Sequence, residues 1–341
     1  LGHTMLTDLK LGPDGNLYAV SFGMFTEEGP VFNSGSVVRI LPDGTQEVII
    51  EGLPFATAIA LDADGITHAY ERIDTPSGDY QATLYAILEL LQTLEAQTHT
   101  VKSVGIGTPG ALSTATGLLR NSNSTCLNQK PLQADLEMLL GKKVLMANDA
   151  DCFTLSEAKD GAATTARSVF GIILGTGVGG GLVINGELIQ GINAIAGEWG
   201  HNPLPWMNPS EYPGESCYCG KTGCIETFLS GPGMSRHFYL ETGQRIEAKD
   251  LAVLADSEAQ AGQYLDVYID RLSRALAGVI NILDPDVIVL GGGLSNIDAL
   301  YEKVPGCWGQ YVFSDRVVTR LLKNFHGDDS GVRGAALLVP V

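Results

Sequence analysis

Cationic side chains are scarce in this sequence: 21 Lys and Arg stand against 39 Asp and Glu, a formal net charge of −18 over 341 residues. Nucleic acid and anionic membrane surfaces are held by clustered Lys and Arg, so neither is expected as a partner. ATP escapes that exclusion, because it needs only a local positive site and a metal ion. No run of about 18 apolar residues occurs, so no membrane-spanning helix is expected. The opening Leu1-Gly2-His3-Thr4-Met5 has no charged region followed by an apolar stretch, so no signal peptide is read there. Cysteine is sparse too, at six. Cys217, Cys219 and Cys224 nevertheless crowd into eight residues, which is metal-site spacing and not a secreted disulfide framework. A cytoplasmic compartment follows. Glycine, by contrast, is abundant at 42 residues, as expected of a chain with many tight turns or backbone-lined ligand sites.

The chain changes character near residue 57. Residues 1–57 read as short β-runs at 17–21, 37–41 and 47–50, punctuated by Pro-Asp-Gly at 13–15 and 42–44. That is hairpin spacing. TDLKLGPDGNLYAV at 7–20 resembles TAIALDADGITHAY at 57–70, a near-50-residue offset of the kind seen between β-propeller blades. From residue 58 the pattern becomes α/β. An amphipathic helix is predicted over 79–98, with Tyr80, Leu84, Ile87, Leu88, Leu91 and Leu94 on one face. Strands are predicted at 101–106, 144–147, 169–174, 182–185 and 287–290. A long helix carries Leu265, Ile269, Leu272, Leu276, Ile280 and Leu283 and stops at Asp284-Pro285. Such alternation gives a layered α/β fold whose ligands lie at the carboxyl ends of strands.

Four clusters carry chemistry. His201 with Cys217, Cys219 and Cys224 offers one imidazole and three thiolates, a set suited to a closed tetrahedral, structural Zn2+ site. The plainer reading is three buried cysteines beside a surface histidine. Gly175-Thr176-Gly177-Val178-Gly179-Gly180-Gly181 lies between two strands, where backbone N–H groups can cradle phosphate oxygens. A ligand-free glycine hairpin reads the same way. Gly291-Gly292-Gly293, after a buried strand, raises the case for a nucleotide, although neither segment matches the Walker A loop. Asn148-Asp149 ends a strand; the carboxylate can take a proton from a substrate hydroxyl, or it can merely cap the next helix. Gly197-Glu198-Trp199-Gly200-His201, with Glu226 beyond it, can hydrogen-bond vicinal sugar hydroxyls, or the glutamates can be surface charge. Trp199 and Trp206 read as packing residues.

In this order, GIGTPG at 105–110, NSNST at 121–125, LGTGVGGG at 174–181, GEWGH at 197–201, CYCGKTGCIE at 217–226, NILDPDVIVLGGG at 281–293 and HGDDSGVRGAA at 326–336 resemble the ROK family (repressors, open reading frames and sugar kinases) over about residues 58–341. HNPLPW at 201–206 and the surroundings of NSNST look most like its bacterial fructokinases. The resemblance implies an α/β fold of two actin-like, ribonuclease H-like lobes around a cleft, with an additional β-rich N-terminal segment. It implies a small lobe over 58–147, to which 325–341 return, and a large lobe with the zinc loop over 148–324. Its implied activity is ATP-dependent phosphorylation of a hexose, fructose at its 6-hydroxyl, with Mg2+ bridging the phosphates and a homodimer as the family's assembly. Asp149 would be the general base. Asn123, Asn148, Glu198, His201 and Glu226 would bind the sugar, His201 through the ring nitrogen not on zinc. Gly175, Thr176, Gly177, Gly179 and Gly291–Gly293 would line the nucleotide side. The chain departs from the family at its front. The D-x-G-G-T-K phosphate turn is replaced by IIEGLPFA at 49–56, so a fusion that keeps the sugar and zinc site without phosphoryl transfer is the second reading. A ROK repressor is a third; it would need a basic winged helix-turn-helix, where residues 1–56 are strand-like.

Overall fold

The architecture comes from a computed structural model. It describes residues 66–339 except 77, 99 and 256. Before them it describes the strands His3–Leu11, Leu17–Thr26, Gly29–Pro30, Ser36–Ile40, Gln46–Glu51 and Phe55–Leu61, with side chains from residue 57 onward. The chain divides into two compact units, residues 1–104 with 108–145 and 341, and residues 105–107 with 146–340.

In the first unit the strands His3–Leu11, Leu17–Thr26, Ser36–Ile40 and Gln46–Glu51 pair antiparallel in chain order. Both Pro-Asp-Gly turns lie outside the described residues. Phe55–Leu61 pairs antiparallel with Thr67–Asp74 as a separate ribbon. The predicted helix is present as Tyr80–Gln97; Asp79 caps it by accepting a hydrogen bond from the Ala82 N–H. Its buried face carries Leu84, Leu90 and Leu94.

The second unit is built on a five-stranded sheet in the order Glu187–Leu188, Val178–Ile184, Ser168–Leu174, Val287–Gly291, Arg320–Lys323. The first two pairings are antiparallel, the last two parallel. Successive strand side chains point to opposite faces, and here both faces are covered. Phe170, Ile172, Leu174, Ile288 and Leu290 join one core with the helix Ala259–Leu283. Val169, Val287 and Val289 join another with Phe153 and Leu155 of the helix Asp149–Lys159. That is why these strands read as continuous apolar runs rather than alternating ones. The long helix buries Leu265, Ile269, Leu272, Leu276 and Ile280 as the periodicity required, and Asp284 ends it in the left-handed conformation, φ 44°.

Residues 325–341 were expected to return to the small lobe. Instead the closing helix, Ser330–Leu337, falls within the second unit. It lies so close to the helix Asp149–Lys159 that a side chain at Gly334 would strike the Cys152 carbonyl. Among the described residues no helix is long and apolar enough to cross a membrane.

Candidate active site

The strand Lys143–Asn148 delivers the chain straight into the helix Asp149–Lys159. Asn148 is the N-cap, its side-chain oxygen accepting from the Asp151 N–H at 2.6 Å. Capping is therefore the work of Asn148, and Asp149, one position on, is released from it. Asp149 is open to water on one side while protein closes around the rest of it. That surrounding mass raises its pKa; the Ala150 N–H opposes the rise and Glu198 adds to it. A carboxylate made more basic in this way is a better proton acceptor near neutral pH. Asp151, two residues further, is buried, its Oδ1 has no hydrogen-bond partner, and burial with the charges of Glu198 and Asp149 pushes it up to about 7.

The glycine segment is only partly a loop. Residues 175–177 turn, but Val178–Ile184 is strand, with Gly179, Gly180 and Gly181 opposite Ile173, Ile172 and Gly171. These glycines are required by close packing. A side chain at Gly181 would meet the Ala150 carbonyl at 2.7 Å, one at Gly180 the Trp199 ring at 2.8 Å, and one at Gly179 the Ala150 Cβ at 3.1 Å. The expected strand start at 182 is thereby corrected to Val178: small residues here let the helix Asp149–Lys159 and the 197–199 segment lie on the sheet. At the open tip, Gly231 N–H donates to the Gly175 carbonyl at 2.8 Å. The tip thus adjoins the N-terminus of the helix Gly231–Thr242, the end that favours anions. Gly291 and Gly292 also serve close approach, against Phe153 and Leu174, whereas Gly293 faces open space.

Glu226 reaches into this hairpin. Its Oε2 accepts from the Val178 N–H at 2.9 Å, and a side chain at Gly177 would stand 2.7 Å from the same oxygen. The helix that carries Glu226, Ile225–Leu229, is preceded by Cys224 as N-cap residue. Cys224 belongs to the four-residue cluster anticipated from spacing: the donor atoms of His201, Cys217, Cys219 and Cys224 all lie within 4.8 Å of one another. His201 Nδ1 and Cys217 Sγ are 3.6 Å apart, as are the sulfurs of Cys219 and Cys224. Thiolates at 2.3 Å from a tetrahedral zinc ion stand about 3.8 Å from each other, so the donor set fits that metal. The three cysteines and the histidine sit in one unit with Asp149, Glu198, Glu226 and the hairpin.

His201 Nε2, the nitrogen expected to face the sugar, lies 3.1 Å from the Tyr218 hydroxyl. Trp199 is buried edge-on to Phe170, and Trp206, more than half exposed, packs on Tyr311. Asn123 belongs to the other unit, exposed before the short turn Thr125–Leu127, and Asn128 clamps the backbone of Ser122 beside it. Sequence reasoning missed Asp151 and Tyr218; only their neighbours, Asp149 and the flanking cysteines, marked the places.

A carboxylate at a helix start, a glycine turn beside a second helix N-terminus and a glutamate joining that turn to a metal-type cluster thus share one unit. The ROK family model matches residues 52–341. The chain is 39% identical over 275 residues to the N-acetyl-D-glucosamine kinase of Photobacterium profundum, covering 79% of this chain and 91% of that one. It is 40% identical over 276 residues to the N-acetyl-D-glucosamine kinase of Escherichia coli, covering 79% and 90%. Among solved structures, the ROK hexokinase from Thermus thermophilus superposes with a TM-score of 0.73 at 25% identity, over 83% of this chain and 97% of that one. The chain belongs to the ROK family, as one of its sugar kinases. These relatives are named N-acetyl-D-glucosamine kinases and not fructokinases, so the fructokinase likeness expected from residues 201–206 and 121–125 is not supported, nor is a propeller origin for residues 1–56.

Proposed function

We propose that this chain transfers the γ-phosphoryl group of ATP, with Mg2+, to a hydroxyl of N-acetylglucosamine, fructose being the alternative acceptor. The substrate rests on the relatives' names; the reaction rests on Asp149, set free of the cap by Asn148 and made more basic by its surroundings. In this reading Asp149 takes the proton of the attacking hydroxyl, and Asn123, Asn148, Glu198, His201 and Glu226 orient the sugar. Gly175, Thr176, Gly177, Gly179 and Gly291–Gly293 line the phosphates, and a homodimer is the working assembly. Zn2+ on His201, Cys217, Cys219 and Cys224 has no open position, so it would order the loop and leave the chemistry to Asp149. ATP-dependent turnover measured against N-acetylglucosamine, fructose, glucose, mannose and N-acetylmannosamine tests this. Preference for any of the last three overturns the substrate assignment.

A second reading is favoured by one observation: IIEGLPFA stands where a D-x-G-G-T-K turn is expected. Phosphoryl transfer depends almost wholly on positioning and on charge stabilisation around the phosphates. A chain without that turn would bind sugar yet transfer phosphate at least about 100-fold more slowly than one in which residues 1–57 are replaced by a D-x-G-G-T-K start. Equal turnover of the two chains rejects this second reading.

A further inference from the structure

The core helix Ala259–Leu283 carries an anomaly. Among Tyr264, Leu265, Tyr268, Ile269, Leu272 and Leu276, all buried, sit two buried arginines, Arg271 and Arg274. Three apart on a helix, they share a face. Both are answered by Glu211, whose side chain is 1% exposed. Glu211 Oε1 accepts from Arg271 Nε at 2.9 Å and from Arg274 Nη2 at 2.7 Å. Oε2 accepts from Arg274 Nη1 at 2.9 Å and from the Asn208 N–H at 3.0 Å. Arg274 Nη1 also donates to the carbonyls of Pro205 and Trp206, and its Nε to Asp270. The Arg271 guanidinium lies over the Phe228 ring, 5.4 Å from its centre.

Asp270 on the same helix and Glu241, 3.8 Å from Arg271, are partners from outside it, but the buried partners centre on the stretch that carries the four metal-type ligands. Pro205, Trp206, Asn208 and Glu211 all fall between His201 and Cys217, and Phe228 is one turn beyond Cys224. The two ends of that stretch are already tied to each other: Leu204 N–H donates to the Gly223 carbonyl, Gly223 N–H to Glu215, and Ile225 N–H to Asn202. Its middle is tied to the long helix through Glu211 and the carbonyls of Pro205 and Trp206.

Three charges taken out of water are costly, and replacing such a group by apolar side chains is often neutral or stabilising. A network of this kind therefore earns no explanation from stability alone. What it does fix is direction. A bidentate guanidinium–carboxylate contact admits one relative geometry, where apolar packing admits several. We infer that Glu211, Arg271 and Arg274 are positioning residues for the zinc loop, holding the segment between His201 and Cys217 so that the four ligands and Glu226 keep one arrangement. The inference rests on the zinc reading above.

The test is the rate at which zinc leaves the full-length chain into an excess of a chromophoric chelator, far below the unfolding midpoint, with folded content followed by circular dichroism. Glu211→Gln keeps the shape and removes the charge. Arg274→Lys keeps the charge and loses the fork; it is the milder change should Glu211→Gln fail to fold. Asp266→Ala, on the same helix as the arginines, breaks an exposed pair with Lys303 of the helix Ala299–Cys307, and serves as control. Zinc release is expected to quicken about tenfold or more in both clamp variants, the low end of what an outer-shell partner contributes to metal affinity, and sugar binding to weaken with it. The control keeps the parental rate. A folded Arg274→Lys or Glu211→Gln chain that releases zinc at the parental rate overturns the inference. A parent chain that carries no zinc overturns the zinc reading instead, so the two failures are distinguishable.

Discussion

Gly177→Ala adds one methyl group at a position where the backbone is in the ordinary φ range, so any cost comes from what the methyl meets. It meets Glu226 Oε2 at 2.7 Å, closer than a real Cβ contact permits, and Glu226 must move. Moving it breaks the 2.9 Å hydrogen bond from the Val178 N–H. A bond to a charged group contributes about 1.5–3 kcal/mol, which corresponds to roughly 10–150-fold in a binding constant. Because the same carboxylate is assigned to the sugar, sugar affinity is expected to fall by about that factor although the change is made in the glycine turn. Gly175→Ala is the matched control, since nothing lies within 4 Å of its added carbon, and its sugar affinity should stay within about twofold of the parent. Titration calorimetry with the sugar alone reads both, whether or not the chain turns over. If Gly177→Ala binds sugar as tightly as Gly175→Ala, Glu226 does not join the turn to the sugar site.

Asp149→Asn keeps shape and removes the base, so turnover in an active chain should fall by about 10²–10⁴-fold while sugar affinity changes far less; near-parental turnover rejects the role. Purified protein should carry one zinc per chain by metal analysis, and Cys219→Ser should lower that content; zinc untouched by the substitution would place the metal elsewhere. Asp151 has its folded pKa raised to about 7 from an unfolded value near 3.8, so the folded state holds a proton that the unfolded state has lost between those values. Stability therefore falls as pH rises through that window, and Asp151→Asn should remove the loss, stabilising the chain at pH above 7 by roughly 1–3 kcal/mol, the cost of an unsatisfied buried polar atom. Urea midpoints on either side of the window check it, and an unchanged pH slope in the variant refutes it.

Local chemistry was legible in the chain itself. The period of Leu265, Ile269, Leu272, Leu276 and Ile280 specified a helix and its buried face, because burial repeats every 3.6 residues whatever lies opposite. Asp79 marked a helix start through a bond reaching only three residues along. Cys-x-Cys-x4-Cys with a histidine upstream named a metal-type cluster because ligand type and spacing are themselves the requirement. What tertiary structure alone decided depends on which backbones approach one another. Gly179, Gly180 and Gly181 read as part of a phosphate segment; that they are also strand glycines admitting Ala150 and Trp199 shows only in three dimensions, since a glycine carries no record of whether it is kept for a ligand or for a neighbour. Glu226 meets Val178 across 48 residues and Glu211 meets Arg274 across 63; separations of that kind leave no period along the chain. The use of His201 Nε2 by Tyr218, and the unpaired oxygen of Asp151, likewise exist only once the loop and the helix are placed against the sheet. A hydrogen bond is decided by tenths of an ångström in three dimensions, which order along one dimension cannot encode.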